Sequence, residues 1–194
     1  MDSTELALRF QADLRPEDVA WLEKRGLNRA TIKQAMLGFV REGRYANAIA
    51  IPYLNPDGSV RTIRFRYLSP RFNKYDNFKG HNIHLYNVAN TALPHVWICE
   101  GEFDSLVLTQ MGFPAVGIPG ASGFKPDWKF LFSNAEQVSL VFDGDEAGSK
   151  GANRIASILG EVVTGDLRVV RLPEGFDVTD CYLRNPEELR ELVQ

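Results

Sequence analysis

Three acidic residues stand within four positions in the stretch LVFDGDEAGSKGA, residues 140–152. Asp143, Asp145 and Glu146 follow directly on an apolar run that is typical of a buried strand. An Asp-Gly pair is also a common turn signal, so a plain solvated turn remains an alternative here. Two unit charges about 4 Å apart repel each other by about 4 kcal/mol at an effective dielectric near 20. Carboxylates that converge at such a place therefore need a positive counter-charge.

Further acids follow two other apolar runs in the same half of the chain. Glu100 ends the run VWICE and Asp104 comes soon after it, while Asp177 and Asp180 follow LRVVRL. If these runs are parallel strands, their carboxyl ends meet at one edge of a sheet, where such sheets bind ligands. Carboxylate oxygens gathered there favour a hard divalent cation, Mg²⁺ or Mn²⁺. The chemistry this predicts is phosphoryl or nucleotidyl transfer, or phosphodiester hydrolysis.

The elements that must position these acids alternate between strand and helix. The runs VWICE, AVGIPG, QVSLVF and LRVVRL read as strands, with helices over DSLVLTQMG and AGSKGANRIASILG. This alternation predicts a compact α/β unit with a largely parallel sheet. We place its boundary near residue 94, which divides the chain into residues 1–94 and 95–194.

The first half reads as a mixed α+β region. The stretch LRPEDVAWLEKRGLNRATIKQAMLGFV predicts two short helices, the first starting at Pro16 and the second capped by Asn28 and continuing through Met36. A hairpin follows in NAIAIPYLNPDGSVRTIRFRYL, with its turn at residues 55–58.

Positive charge is concentrated in one segment of this first half. Residues 61–79 hold six Lys or Arg residues against one acid, although the whole chain has a net charge of −3. In the predicted strand Arg64 and Arg66 alternate with Ile63 and Phe65, so both arginines are expected on one face. The segment predicts contact with nucleic-acid or nucleotide phosphates, although a solvated surface position is the simpler interpretation for any single cation.

Composition limits the setting of the protein. A chain of 194 residues is long enough to bury a sizeable core. Its two cysteines, Cys99 and Cys181, cannot form a zinc ribbon or finger, and their scarcity favours a reducing cytoplasm, that of the host if a phage encodes the chain. No apolar stretch approaches the roughly 20 residues of a membrane span, so we expect no membrane partner.

Three motifs of the second half resemble the Toprim domain, which primases, topoisomerases and some nucleases share. EGEFDSL and DGDEAGSKGA resemble its paired acidic motifs. LPEGFDVTDCYL is similar to the third acidic segment of DnaG-type bacterial primases and of phage and mitochondrial primase-helicases. In the first half, WLEKRGLNRATIKQAMLGF and the hairpin with NKYDNFKG after it resemble the helical entry and the basic subdomain of the primase core. The resemblance implies a basic mixed α+β subdomain followed by a Rossmann-like Toprim subdomain.

The resemblance also implies a function and a set of residues. The implied enzyme is a DNA-directed RNA polymerase that makes short primers on single-stranded DNA from ribonucleoside triphosphates, with Mg²⁺ or Mn²⁺. The implied catalytic residues are Glu100, Asp143 and Asp145. The implied metal ligands are Glu100, Asp104, Asp143, Asp145 and Asp177. The implied contacts to template and nucleotide are Arg44, Asn47, Arg64, Arg66, Lys74 and Lys79.

The chain departs from the bacterial primases at two places. Their third segment has two acids two residues apart, whereas this chain has Asp-Val-Thr-Asp, so Asp180 is expected to support or cap instead. Many primases also carry a zinc-binding domain that nothing in this chain can form. We therefore expect an excised core, a phage protein with its zinc module on another chain, or a Toprim protein that does not start primers itself.

Two other functions remain alternatives to a primase. A Toprim nuclease would use the same acids to hydrolyse phosphodiesters, although the basic first half would then be unexplained. A non-catalytic accessory subunit that binds nucleic acid would keep the fold without the reaction. A replicative helicase is a further partner that the resemblance implies.

Overall fold

The chain divides after residue 84 into two units, Met1–His84 and Leu85–Gln194, and each has its own four-stranded sheet. The computed structural model describes residues 2–69, 73–82, 84–120 and 123–194. Among these residues, no helix combines the length and the apolar character that crossing a membrane requires.

The first unit combines three helices with an antiparallel sheet. The helices are α1 (Ser3–Ala12), α2 (Pro16–Glu23) and α3 (Arg29–Gln34). The strands, in their order across the sheet, are β1 (Gly38–Val40), β2 (Ala48–Leu54), β3 (Val60–Tyr67) and β4 (Tyr75–Asn77). The predicted hairpin is confirmed, because β2 and β3 pair antiparallel and Gly58 N donates to Asn55 O at 2.9 Å in the turn.

The second predicted helix is shorter than the sequence suggests. Asn28 caps α3 as predicted, since its Oδ1 accepts a hydrogen bond from Thr31 N at 2.8 Å. The helix nevertheless ends at Gln34, and Met36 takes a left-handed backbone conformation with φ of 52°. Gly38–Val40 then pairs with β2, so strand pairing decides the structure of this segment against its helical pattern.

α1 lies outside the sequence predictions and packs on the sheet. Its residue Phe10 contacts the ring of Phe65 edge-on, with ring centroids 6.2 Å apart. β1 comes so close that a Cβ on Gly38 would lie 2.4 Å from the carbonyl carbon of Phe10. Tyr45 stacks on the Phe65 ring at 3.9 Å, and Phe78 packs against the same core. Phe65 and Phe78 of the basic segment thus contribute to the core of the first unit.

The second unit carries a parallel sheet with helical crossovers, which confirms the predicted α/β fold. Its strands are β5 (His95–Glu100), β6 (Ala115–Ile118), β7 (Gln137–Phe142) and β8 (Asp166–Arg171), in the order β6-β5-β7-β8. Its helices are α4 (Glu102–Gln110), α5 (Glu146–Leu159), α6 (Val178–Arg184) and α7 (Pro186–Val193). Short 3-10 segments span Val88–Ala92 and Pro126–Phe132.

The carboxyl ends of these strands lie level with one another. Cys99 pairs with Val141 across β5 and β7, and Phe142 pairs with Arg171 across β7 and β8. Residues that follow β5, β7 and β8 therefore leave the sheet from the same edge.

The C-terminal end of the last helix, α7, is hydrogen-bonded to this sheet. The carbonyl oxygen of Val193 accepts a hydrogen bond from Trp97 Nε1 at 3.0 Å and another from the guanidinium of Arg168. Arg168 Nε also donates to Ser139 Oγ at 2.7 Å. A cation at a helix C-terminus is favourable, because the last carbonyls carry partial negative charge.

The second unit begins earlier than the boundary that we placed near residue 94. Tyr86 pairs with Gly117 of β6, with N–O distances of 2.9 and 3.2 Å in the two directions. Asn90 Nδ2 donates to Ala115 O at 2.9 Å. A single bridge and a side-chain contact leave no periodic pattern in the sequence, which explains why residues 85–94 read as part of the first half.

Candidate functional site

The loops that follow β7 and β8 are joined by backbone hydrogen bonds at Gly144. Gly144 N donates to Phe176 O, and Gly175 N donates to Gly144 O, each at 2.9 Å. A Cβ on Gly144 would lie 2.0 Å from a carbonyl oxygen of the second loop, so this approach requires glycine. Asp143 and Asp177, which flank these contacts, are therefore held at the same edge of the sheet.

Asp143 interacts with carboxylates from all three acidic segments. Partial burial, the larger cause, and neighbouring negative charges together raise its pKa from 3.8 to about 6. In decreasing order of effect, these charges belong to Glu100, Asp177, Asp145 and Asp180. Asp143 is therefore close enough to these four carboxylates for their charges to affect its protonation.

Asp145 and Asp177 also cap helices. Asp145 Oδ1 accepts a hydrogen bond from Gly148 N at 2.7 Å at the start of α5. At the start of α6, Asp177 Oδ1 accepts from Asp180 N at 2.6 Å, and Asp177 N donates to Asp180 Oδ2 at 3.4 Å. This reciprocal pair is a capping box, which places Asp180 as a cap. Helix N-termini favour the negative charge of both capping residues.

Asp104 lies deeper than the other acids that the sequence singles out. It is 8% exposed, in the first turn of α4. Its Oδ1 accepts hydrogen bonds from Thr179 N at 3.1 Å and from Thr179 Oγ1 at 2.8 Å. Burial raises the pKa of Asp104 well above its ordinary value, and Asp177 and Asp143 add to the shift while the Thr179 hydrogen bonds oppose it.

The donor chemistry of this edge fits a hard divalent cation. Carboxylate oxygens are the ligands that Mg²⁺ prefers, and a cation would offset the repulsion that raises the pKa of Asp143. Within the described ranges, however, no three His, Cys, Asp or Glu side chains form a group that could hold a metal ion. The predicted set of metal ligands therefore stays a prediction.

The raised pKa of Asp143 predicts how the metal-free protein responds to pH. An acid whose pKa is higher in the folded than in the unfolded state lowers stability as pH rises between the two values, here from 3.8 to about 6. We expect the free energy of unfolding to fall across this window by more in the wild type than in Asp143→Asn. Urea unfolding with a chelator over a pH series measures the difference. Parallel curves for the two proteins would contradict the prediction.

Arg66 is buried, which corrects the solvent-facing position that strand alternation predicts. It is 5% exposed, its Nε donates to Tyr75 OH at 3.1 Å, and its guanidinium carbon lies 4.8 Å from the centre of the Trp21 ring. Arg64 is half-buried, with its guanidinium carbon 4.4 Å from the centre of the Tyr75 ring. The Tyr75 ring of β4 thus contacts both Arg64 and Arg66, and the Trp21 ring of α2 contacts Arg66 as well. Cation–π contacts of this kind stabilise charges that have left water.

The other predicted phosphate contacts are exposed, namely Arg44, Asn47, Lys74 and Lys79. Asn47 has a left-handed backbone with φ of 63°, which Asn tolerates better than most residues, and its N donates to Val40 O at 2.9 Å. It therefore shapes the turn into β2 whatever else it contacts. Arg71 of the basic segment lies outside the described residues. The phosphate-binding role of the exposed set stays a prediction.

Two residues of this site are absent from the sequence predictions. Glu102 is 1% exposed in the first turn of α4, and it is among the carboxylates that add to the effect of burial in raising the pKa of Cys99. The sequence feature that could have identified Glu102 is its position between Glu100 and Asp104 in EGEFD. Thr179 left no such signal, because its partner Asp104 lies 75 residues away in the chain.

Known proteins resemble this chain in sequence. A family model described as Toprim-like matches residues 97–182, the region that contains most of these acids. The chain is 36% identical over 140 residues to the Gene 57 protein of Mycobacterium phage D29. The aligned region covers 69% of this chain and 89% of that protein. It is 24% identical over 222 residues to the DNA primase of Rickettsia felis, covering 91% of this chain but only 37% of the primase.

The fold of the chain is also similar to that of a bacterial primase. The zinc-binding and RNA polymerase domains of the Aquifex aeolicus primase match it with a TM-score of 0.82 at 20% identity, over 98% of this chain and 60% of that one. The structural likeness establishes the fold, and the phage and bacterial relatives are similar to the chain in sequence. The chain therefore belongs to the family of Toprim-domain primase cores.

Proposed function

We propose that the chain is the catalytic core of a DNA primase, a nucleotidyltransferase that synthesises short RNA primers on single-stranded DNA in the cytoplasm. The observation that supports this best is the meeting of three acidic segments beside Asp143 at one edge of a parallel sheet. Such an edge suits the transfer of a nucleotide from a triphosphate, because a divalent cation would offset the charge of the carboxylates and that of the triphosphate.

The proposed catalytic residues are Glu100, Asp143 and Asp145. Mg²⁺ or Mn²⁺ bound there, with Asp177 as a further ligand, would neutralise the triphosphate and make the primer 3′-hydroxyl more acidic. Asp143, with a pKa of about 6, is ionised at neutral pH and offers its charge to that cation. Glu100, half-buried at the end of β5, is proposed to bind the cation or to accept the proton of the hydroxyl.

The proposed partners follow from the same chemistry. Ribonucleoside triphosphates are the substrates, and single-stranded DNA is the template. A separate zinc-binding module is proposed as a protein partner, because the Aquifex aeolicus relative carries a zinc-binding domain beside its RNA polymerase domain. A replicative helicase is proposed as a further partner on the resemblance to primases alone.

One assay distinguishes this function from its alternatives. The chain is incubated with a single-stranded template, labelled ribonucleotides and either Mg²⁺ or Mn²⁺, and the products are separated by length. Short labelled RNA is the expected result. Cleaved template without RNA would identify a nuclease, and binding without any product would identify an accessory subunit.

A separate prediction concerns three cations of the basic segment, the half-buried Arg64 and the exposed Lys74 and Lys79. Replacing Arg64, Lys74 and Lys79 by Ala should weaken single-stranded DNA binding and flatten its salt dependence, by about 0.7 in log–log slope per lost phosphate contact. Arg66 is left intact because its burial would add an effect on folding. Fluorescence anisotropy of a labelled oligonucleotide across a salt series measures the slope.

The control for this variant removes the same charge elsewhere in the first unit. Arg9, Lys24 and Lys33 are exposed cations on or directly beside its helices, and replacing them by Ala should leave the slope near that of the wild type. An unchanged slope in the first variant would remove the basic segment from the template path.

A further inference from the structure

A buried pair of side chains links the first and third acidic segments. Thr179, in the first turn of α6, donates both its backbone N and its Oγ1 to Asp104 Oδ1, at 3.1 and 2.8 Å. Thr179 is 3% exposed and Asp104 is 8% exposed. Hydrogen bonds to a buried carboxyl group are among the stronger ones, so this pair ties α6 to α4.

The link is separate from the local capping of α6. The capping box of Asp177 and Asp180 shapes the first turn of the helix, but both of its residues belong to that turn. Of the side-chain hydrogen bonds described here for this turn, those from Thr179 are the ones that reach another element. This pair and the backbone bonds at Gly144 are thus among the contacts that hold Asp177 beside Asp143.

The chemistry of residue 179 suits this contact. A carboxylate at this buried position would repel Asp104, whereas the hydroxyl of Thr179 donates a hydrogen bond to it.

We propose that Thr179 is a positioning residue, which uses Asp104 as a buried anchor to hold the start of α6 so that Asp177 stays beside Asp143. Asp104 then acts through Thr179 and not as a direct ligand of the cation. This inference rests on the proposed function of the acidic edge, and it assigns a role to a residue that carries no charge.

The test compares the hydroxyl group with its isosteric replacement. Thr179→Val keeps the shape and the backbone donor but removes Oγ1, whereas Thr179→Ser keeps the hydroxyl. Binding of Mn²⁺, followed by the loss of the free-ion electron paramagnetic resonance signal, is a measurement independent of catalysis. We expect the Val variant to bind Mn²⁺ about tenfold more weakly, which corresponds to about 1.4 kcal/mol, and the Ser variant to stay within about threefold of the wild type.

Two further variants keep the result interpretable. Thr109→Val makes the same change at an exposed position of α4 and should bind Mn²⁺ as the wild type does. If Thr179→Val does not fold, as judged by circular dichroism, Thr179→Ala removes the hydroxyl without adding a methyl group and must show the loss instead.

The outcomes separate this inference from the proposed function. Wild-type protein that binds Mn²⁺ and makes primers, together with Val or Ala variants of unchanged Mn²⁺ affinity, would overturn the role of Thr179 alone. Equal losses in the Val and Ser variants would also overturn it, because the hydroxyl would then not matter. Wild-type protein that binds no Mn²⁺ would overturn the metal site on which both proposals depend.

Discussion

The double variant Asp143→Asn, Asp145→Asn is expected to reduce metal-dependent primer synthesis by about 1,000-fold or more. The substitutions remove two carboxylate charges from the edge where the cation is proposed to bind, and the loss of a preorganised charge at a reacting centre typically costs about 10²–10³ in rate. The fold should persist, because Asn caps a helix as well as Asp does and α5 keeps its cap at residue 145. At pH 7.5, where the ionised Asp143 opposes folding, the variant should be at least as stable as the wild type.

Primer synthesis from labelled ribonucleotides measures the loss, and urea unfolding measures the stability. Glu146→Gln is the matched control, because Glu146 lies in the same turn but is exposed and pairs with Lys150 at 2.6 Å. It should synthesise primers at the wild-type rate. Synthesis above background by the Asp143→Asn, Asp145→Asn protein would exclude this pair from the metal site.

The Glu100→Gln variant is expected to lose turnover by about 100-fold to 10,000-fold, with a much smaller change in nucleotide affinity. Gln keeps the shape of Glu but removes the charge and the basicity that a general base needs, and positioned acid–base groups typically contribute about 10²–10⁴ in rate. The measurement pairs single-turnover rates with equilibrium binding of a fluorescent ribonucleoside triphosphate.

Glu136→Gln makes the same change at the opposite end of the sheet, just before β7, where the side chain is 76% exposed. This control should keep both the rate and the affinity of the wild type. Near wild-type turnover in Glu100→Gln would show that Glu100 has a structural role instead.

The second unit could be predicted from the sequence because its pattern is local. β5, β6 and β7 are short apolar runs, and Glu100 and Asp143 stand directly at the ends of two of them. Parallel strands with helical crossovers then bring these ends to one edge without any further information. The helix cap formed by Asp177 was also open to prediction, since an acid three residues later is the spacing of a capping box.

The features that the sequence did not reveal depend on distant partners. The burial of Arg66 requires Trp21 of α2 on one side, and nothing in the strand itself indicates that contact. The end of α3 at Gln34 follows from the pairing of the next residues with β2, which overrides their helical pattern. Likewise, the sequence around Asp104 does not indicate that it is buried, because its hydrogen-bond partner Thr179 is distant in the chain.

The distance in sequence between Asp104 and Thr179 has a consequence during synthesis of the chain. The two residues are 75 positions apart, and closing a contact of that separation is slow compared with forming a hairpin. On the ribosome, residues 100–145 emerge well before their partners, so their carboxylates are at first ordinary solvated acids. We expect the capacity to hold a divalent cation to arise as one late event, when the segment around Thr179 leaves the exit tunnel and docks. A nascent chain that stalls before that point would carry Glu100, Asp143 and Asp145 without the docked third acidic segment.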